Sequence, residues 1–108
     1  MTPTNLSLSV LLHRDGDAWF AQCLQFDVAA QGRTPEEARQ RFLTTLTEQI
    51  LLDLRDSKPP LTHLGPAPNR YIELSVGQRG ALTLPVYVPA GAGGGERPSV
   101  VATFLQAA

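Results

Sequence analysis

A strong helix signal in the middle of the chain constrains the fold more than any other feature. Thr34 can cap a helix by accepting a hydrogen bond from the amide of Glu37, and Pro35 fits the first turn because it needs no amide hydrogen there. Apolar residues then recur at steps of four and form one stripe: Ala38, Phe42, Leu46, Ile50 and Leu54. The pattern predicts an amphipathic helix that begins at Thr34 and ends between residues 55 and 58, because Pro59 cannot continue it.

Three short segments before this helix have the pattern of strands. Apolar and polar residues alternate over residues 6–12, as they do in a strand with one buried face. Asp15-Gly16-Asp17 is a turn signal, and residues 19–24 have the pattern of the returning strand. Residues 28–31 predict a short third strand. The three segments together predict an antiparallel meander.

An even number of residues in the first turn would fix which side chains share a face of the meander. The first face then carries Leu8, Val10, Leu12, Trp19, Ala21 and Cys23. The second face then carries Leu11, His13, Phe20, Gln22 and Leu24. This second face is too apolar to be left to water, so we expect either the tail of the chain or another subunit to cover it.

The last turns of the predicted helix are apolar almost all round. Leu51 and Leu52 fall on opposite flanks of the apolar stripe, which an isolated surface helix would not show. Either the C-terminal segment folds over this end of the helix, or another subunit contacts it. We take Leu51 and Leu52, together with Leu11, Phe20 and Phe26, as candidate protein-contact residues.

The rest of the chain predicts a connector followed by more strands. Residues 59–69 contain four prolines, which is typical of an extended connector. The later segments with strand patterns are residues 71–76, 82–88 and 100–105, and residues 91–95 form a glycine-rich loop. We therefore predict one domain, with a βββα core over residues 1–58, the connector, and a fourth strand with a strand-rich extension over residues 70–108. The fold class is α+β: an antiparallel β-meander with one amphipathic helix packed across it, in the order βββαβ.

Composition and charge exclude several classes of protein. A chain of 108 residues that is 43% hydrophobic can build one folded core. A net charge of -1 argues against a nucleic-acid binder that relies on bulk electrostatics. The sequence contains no run of 18 apolar residues, which is the length that a membrane-spanning helix needs. The first residues lack the pattern of a secretion signal, and one cysteine cannot form an internal disulfide, so we expect a cytoplasmic protein.

Few residues suggest catalysis or metal binding. Cys23 and His13 fall on opposite faces of the predicted meander, so we interpret Cys23 as a buried structural thiol and not as a nucleophile. His63 lies in the connector, and no pair of Cys or His residues has the spacing of a metal site. Asp15 and Asp17 are turn residues. We expect no catalytic, cofactor-binding or metal-binding residues.

Parts of the first half of the chain together resemble the HicB-like antitoxin domain. They are the turn at residues 15–17, the strand at residues 19–24 and the stretch at residues 30–38, in which Gly-x-Thr-x-Glu-Glu-Ala leads into the helix. The resemblance implies a partial RNase H-like fold, in which a helix packs across three antiparallel strands and a further strand follows. Residues 71–76 are our candidate for that further strand.

The resemblance also implies a function. HicB-like proteins typically bind a small RNA-cleaving toxin and cover its catalytic surface, and they commonly form dimers or tetramers. A homo-oligomer with a HicA-type toxin as partner is therefore the expectation for this chain. Many members add a C-terminal DNA-binding unit, but this tail contains no second amphipathic helix, so the sequence gives no support for DNA binding.

Catalysis by an RNase H-like route is not supported. Such nucleases need several converging carboxylates, including one near the centre of the first strand. Residues 6–12 contain no carboxylate, and the helix interior offers only Glu48 and Asp53. The first hypothesis is thus a non-catalytic antitoxin-type binding protein. The alternative is a solitary oligomeric structural or regulatory domain of the same fold with no toxin partner.

Overall fold

The computed structural model describes residues 5–89 and 98–106. In this part of the chain, a five-stranded mixed sheet and two helices give an α+β fold, as the sequence predicts. In chain order the elements are β1 (Asn5–Asp15), β2 (Ala18–Cys23), β3 (Ala29–Gly32), α1 (Pro35–Arg55), α2 (Asn69–Ser75), β4 (Gly80–Val86) and β5 (Ser99–Gln106). Neither of the two described helices combines the length and the apolar content that crossing a membrane requires. The glycine-rich loop predicted at residues 91–95 lies outside the described residues.

The first three strands pair antiparallel in chain order. Asp15 pairs with Ala18, so the turn between β1 and β2 has two residues, and Gly16 adopts a φ of 63° that favours glycine there. Val10 lies opposite Cys23, which places both on the first face as the turn length predicts. The same register puts Leu11 opposite Gln22 on the second face.

The helix signal is confirmed at both ends of α1. The hydroxyl of Thr34 accepts a hydrogen bond from the amide of Glu37 at 3.1 Å, and α1 ends at Arg55. The stripe residues Ala38, Phe42, Leu46 and Ile50 are buried. They pack on the first face of the sheet, where Phe42 meets Phe104 of β5 edge-on with 6.1 Å between ring centroids. This face of the sheet and α1 form the hydrophobic core.

The prediction of a fourth strand at residues 71–76 is wrong. Most of that segment belongs to α2, and the position beside β1 is taken by β5, which runs parallel to it. Strand β4 pairs antiparallel with β5, so the sheet order is β3-β2-β1-β5-β4. The order along the described chain is therefore βββααββ, and β4 and β5 overlap the strand patterns at 82–88 and 100–105. Polar and apolar residues alternate over 71–76 as in a strand, but so short a segment also fits two helical turns.

The proline-rich connector carries the chain from the end of α1 to the second face of the sheet. Leu61 is fully buried in the core with a φ of 67°. The amide of Asp27 donates to the carbonyl of Gly65 at 2.7 Å, and the amide of Ala67 donates to the carbonyl of Leu24 at 3.1 Å. These bonds fix the connector against the loop between β2 and β3, and α2 begins directly after them.

Candidate protein-contact surface

The two leucines predicted as contacts on α1 differ in exposure. Leu52 has 49% of its surface exposed, whereas Leu51 is half-buried and packs against the core. An exposed leucine on a long helix is unremarkable alone, so its neighbours decide whether it belongs to a surface. Leu52 remains a candidate contact residue, and Leu51 contributes mainly to the packing of this chain.

The three other predicted contact residues are less available than the sequence suggests. Leu11 is fully buried on the second face, so it cannot contact a partner while this structure is intact, and its prediction as a contact is wrong. The reason is that other parts of the same chain cover this face. Phe26 is half-buried against the core. Phe20 is also half-buried, and its ring stacks on that of His13 with 5.4 Å between centroids.

Helix α2 contacts the second face through aromatic rings. The ring of Tyr71 lies 5.1 Å from the ring of His13, which therefore contacts both Tyr71 and Phe20. The guanidinium of Arg70 lies 4.7 Å above the Tyr71 ring and donates to its hydroxyl at 2.8 Å. The tail of the chain thus covers part of this face, which was one of the two alternatives that the sequence left open.

Burial dominates the electrostatics of His13. Loss of solvent lowers the pKa of this imidazole from its ordinary value of 6.5, while the charge of Asp15 raises the pKa and that of Arg70 lowers it. The Nε2 atom of the ring is buried and has no hydrogen-bond partner. The neutral ring is therefore the form that this environment favours.

Sequence reasoning missed a group of exposed apolar residues at α2. Ile72 and Leu74 are exposed, and Val76 at the end of the helix has 77% of its surface exposed. No residue of α2 is buried. The apolar alternation over residues 71–76 was visible in the sequence, but a strand assignment would have placed one apolar row inside the fold.

A second apolar area lies where α1 faces the edge strand. Tyr87, just after β4, has 72% of its surface exposed, and Leu82 of β4 is also exposed. An open groove of about 470 Å³ runs between the two elements and is lined by Leu43, Thr44, Thr47, Glu48, Pro85, Val86 and Tyr87. Its mixed lining suits a protein segment better than a small apolar ligand.

The main polar cluster is built around Asp53. Its carboxylate is buried, accepts the amide of Leu61 at 2.8 Å and accepts Nε2 of Gln49 at 3.1 Å. The Nε2 atom of His63 lies 2.9 Å from the same carboxylate and 3.4 Å from Gln49. A buried carboxylate can orient the imidazole of a neighbouring histidine, as in a nucleophile–base pair. The polar side chains that His63 meets here are those of Asp53 and Gln49, and neither is a nucleophile of that kind. The cluster therefore holds the connector on α1.

Cys23 and His13 lie on opposite faces of the sheet. Cys23 is fully buried on the first face, and burial raises the pKa of its thiol, which keeps the unreactive protonated form. His13 lies on the opposite face, so the two do not meet. Among residues 5–89 and 98–106, no three His, Cys, Asp or Glu side chains come close enough to hold a metal ion.

Comparison with known proteins gives no relative. No protein-family model, no curated protein and no solved structure matches the chain.

Proposed function

We propose that this chain is a non-catalytic HicB-like antitoxin, which neutralises a small RNA-cleaving toxin by covering the toxin's catalytic surface. The observation that carries the proposal is the set of large apolar side chains that remain in contact with solvent: Leu52, Ile72, Leu74, Val76, Leu82 and Tyr87. Three of them lie within one short segment at α2. Apolar side chains concentrated in this way are typical of surfaces that bind another protein.

The arrangement of the first half of the chain supports the same proposal. The segments that resemble the HicB-like domain lie on β1, β2, β3 and the first turn of α1. The finer part of the proposal is that this is a partial RNase H-like fold, with β5 in the role of the further strand that follows the helix. In that arrangement β1 lies between β2 and β5 and carries only apolar, hydroxyl and amide side chains over residues 5–12.

Co-expression with a HicA-type toxin encoded beside the gene tests the proposal. We expect the tagged chain to retain the toxin in a pull-down at micromolar concentration and to suppress its RNA cleavage. Leu52→Asp should weaken retention, because a charge in an apolar contact must be desolvated. Gln40→Asp introduces the same charge at an exposed site elsewhere on α1 and serves as the matched control. Failure of the unmodified chain to retain the toxin would contradict the proposal.

The same exposed residues also suit the second candidate function, a solitary domain that only associates with itself. This hypothesis expects a stable homo-oligomer of dimer or tetramer size in light scattering and no retention of a toxin. Leu52→Asp should then dissociate the oligomer and leave the helical circular dichroism unchanged, because Leu52 is exposed and the core does not depend on it. A monomer at high concentration would rule this function out.

A further inference from the structure

Helix α2 is weakly attached to the rest of the molecule. It has seven residues, buries none of them and has no side-chain hydrogen bond at its N-cap. A helix this short is not stable in water without packing. Its aromatic contact with the sheet is the one between Tyr71 and His13. The contact that ties α2 to the sheet through aromatic rings therefore includes a titratable side chain, the imidazole of His13.

The surroundings of His13 favour one state of its ring. The ring stacks on Phe20 of β2, which carries no charge, and also contacts the ring of Tyr71 of α2. The charged groups that act on the ring are Asp15 at the end of β1 and Arg70 of α2, and these act in opposite directions. The protonated ring carries an N–H at both nitrogens and so at the buried Nε2 atom, where no acceptor lies, whereas the neutral ring can carry its single proton on Nδ1. A buried donor without an acceptor destabilises the state that contains it.

The chain on either side of α2 is firmly anchored. Before the helix, the amide of Ala67 donates to the carbonyl of Leu24. After it, Gly80 begins β4 and pairs with Leu105 of β5. The segment between these anchors can therefore leave the sheet without unfolding the strands or α1. Pro68 stands at the N-cap of α2, directly after the first anchor.

We propose that α2 is a strap that neutral His13 holds on the second face of the sheet and that protonation of His13 releases it while the core stays folded. Release would uncover the rings of Phe20 and Tyr71 and free the apolar side chains of α2 to rearrange. The strap thus makes the amount of exposed apolar surface on this side of the molecule depend on pH.

The direction of the pH dependence follows from the pKa of His13. In the docked state burial lowers this pKa below 6.5, and in the released state the ring regains water, so its pKa returns toward 6.5. The stabilisation of the docked state is therefore complete above pH 6.5 and is lost progressively as the pH falls below it. The docking equilibrium constant decreases by at most about tenfold per pH unit until the pH reaches the docked pKa.

Amide hydrogen exchange resolved by residue tests the strap. Between about pH 7.5 and about pH 5.5, after correction for intrinsic exchange, we expect protection in residues 71–76 to fall by up to about tenfold per pH unit below 6.5, with α1 unchanged. His13→Phe keeps an aromatic ring in contact with Phe20 and Tyr71 but cannot be protonated, so protection should become independent of pH. His63→Gln removes the other histidine and should leave the pH dependence intact.

Several results would overturn the strap. They are a pH dependence that survives His13→Phe, one that disappears in His63→Gln, and a loss of protection that includes α1. Titration of the His13 ring by nuclear magnetic resonance in the unmodified chain gives an independent measurement if His13→Phe does not fold. A pKa clearly below 6.5 supports the strap, and a pKa at or above 6.5 refutes it.

Discussion

Asp53 determines the path of the chain after α1. Its buried carboxylate accepts the amide of Leu61, which has a φ of 67°, a left-handed conformation that leucine rarely adopts. The backbone carbonyl of Asp53 also accepts a hydrogen bond from the amide of Lys58 at 2.8 Å. Asp53 thus holds the turn that brings the buried side chain of Leu61 back to the core.

Replacing Asp53 with alanine should destabilise the protein by about 1–3 kcal/mol, because the amide of Leu61 would lose its partner inside the protein. Asp53→Asn should cost less, since the amide oxygen of asparagine can still accept one bond. Asp56→Ala removes an exposed carboxylate three residues later and is the matched control, with an effect near zero. Urea denaturation followed by circular dichroism measures all three. Equal losses for Asp53→Ala and Asp56→Ala would show that the carboxylate of Asp53 does not hold the turn.

At the scale of residues, the sequence predicts the sheet face on which a side chain lies better than it predicts which residues that side chain contacts. The two-residue turn at Gly16 was enough to place Cys23 and His13 on opposite faces. The contact between Asp53 and His63 could not be predicted, because it depends on positive φ angles at Ser57 and Leu61 that no sequence pattern signals. Leu11 was assigned to the correct face, but its complete burial could not be predicted from local alternation.

At the scale of elements, the two helices show why one was predictable and the other was not. For α1 the N-cap at Thr34, the apolar period and the terminating prolines agree, and agreement among independent signals makes an assignment reliable. For α2 the period over residues 71–76 favours a strand, and Pro68 lies at the N-cap without a capping side chain. Its helical state reflects the position of the chain in the fold more than its own sequence.

The close contact between β3 and α1 gives a prediction at the same scale. A Cβ atom on Gly32 would lie 2.5 Å from the backbone nitrogen of Ala38, so Gly32→Ala must push the strand away from the helix. We expect a loss of about 1–3 kcal/mol in the free energy of unfolding. Gly65→Ala is the control, because a Cβ there meets nothing within 4 Å and the substitution should change stability little. Thermal unfolding measures both, and similar effects at the two sites would mean that β3 and α1 are not so tightly packed.

At the scale of the whole molecule, the sheet joins the two ends of the described chain. Strand β5 inserts between β1 and β4, so residues from both ends of that chain meet at the centre of the sheet. The strand segments after residue 76 were visible in the sequence, but their order and direction were not. Strand order depends on long-range partner choice, which local alternation does not specify. Phe104 and Ala102 of β5 belong to the same hydrophobic core as α1 and the first strands, so the two ends of the described chain share one core.

This topology predicts that the first half of the chain does not fold alone. Removing residues 98–108 takes away β5 and leaves β1 and β4 without their shared partner, so we expect no cooperative unfolding transition. The loss of Phe104 alone should cost about 3–5 kcal/mol, a large part of the roughly 5–15 kcal/mol that stabilises a domain. Phe104→Ala can be compared with Thr103→Ala on the other face, which removes a hydroxyl 3.0 Å from that of Thr83 and a methyl group beside Gly80 and should cost about 1 kcal/mol. If the shortened chain instead unfolds cooperatively in urea, then β1, β2, β3 and α1 form an independent unit and β5 is an addition to it.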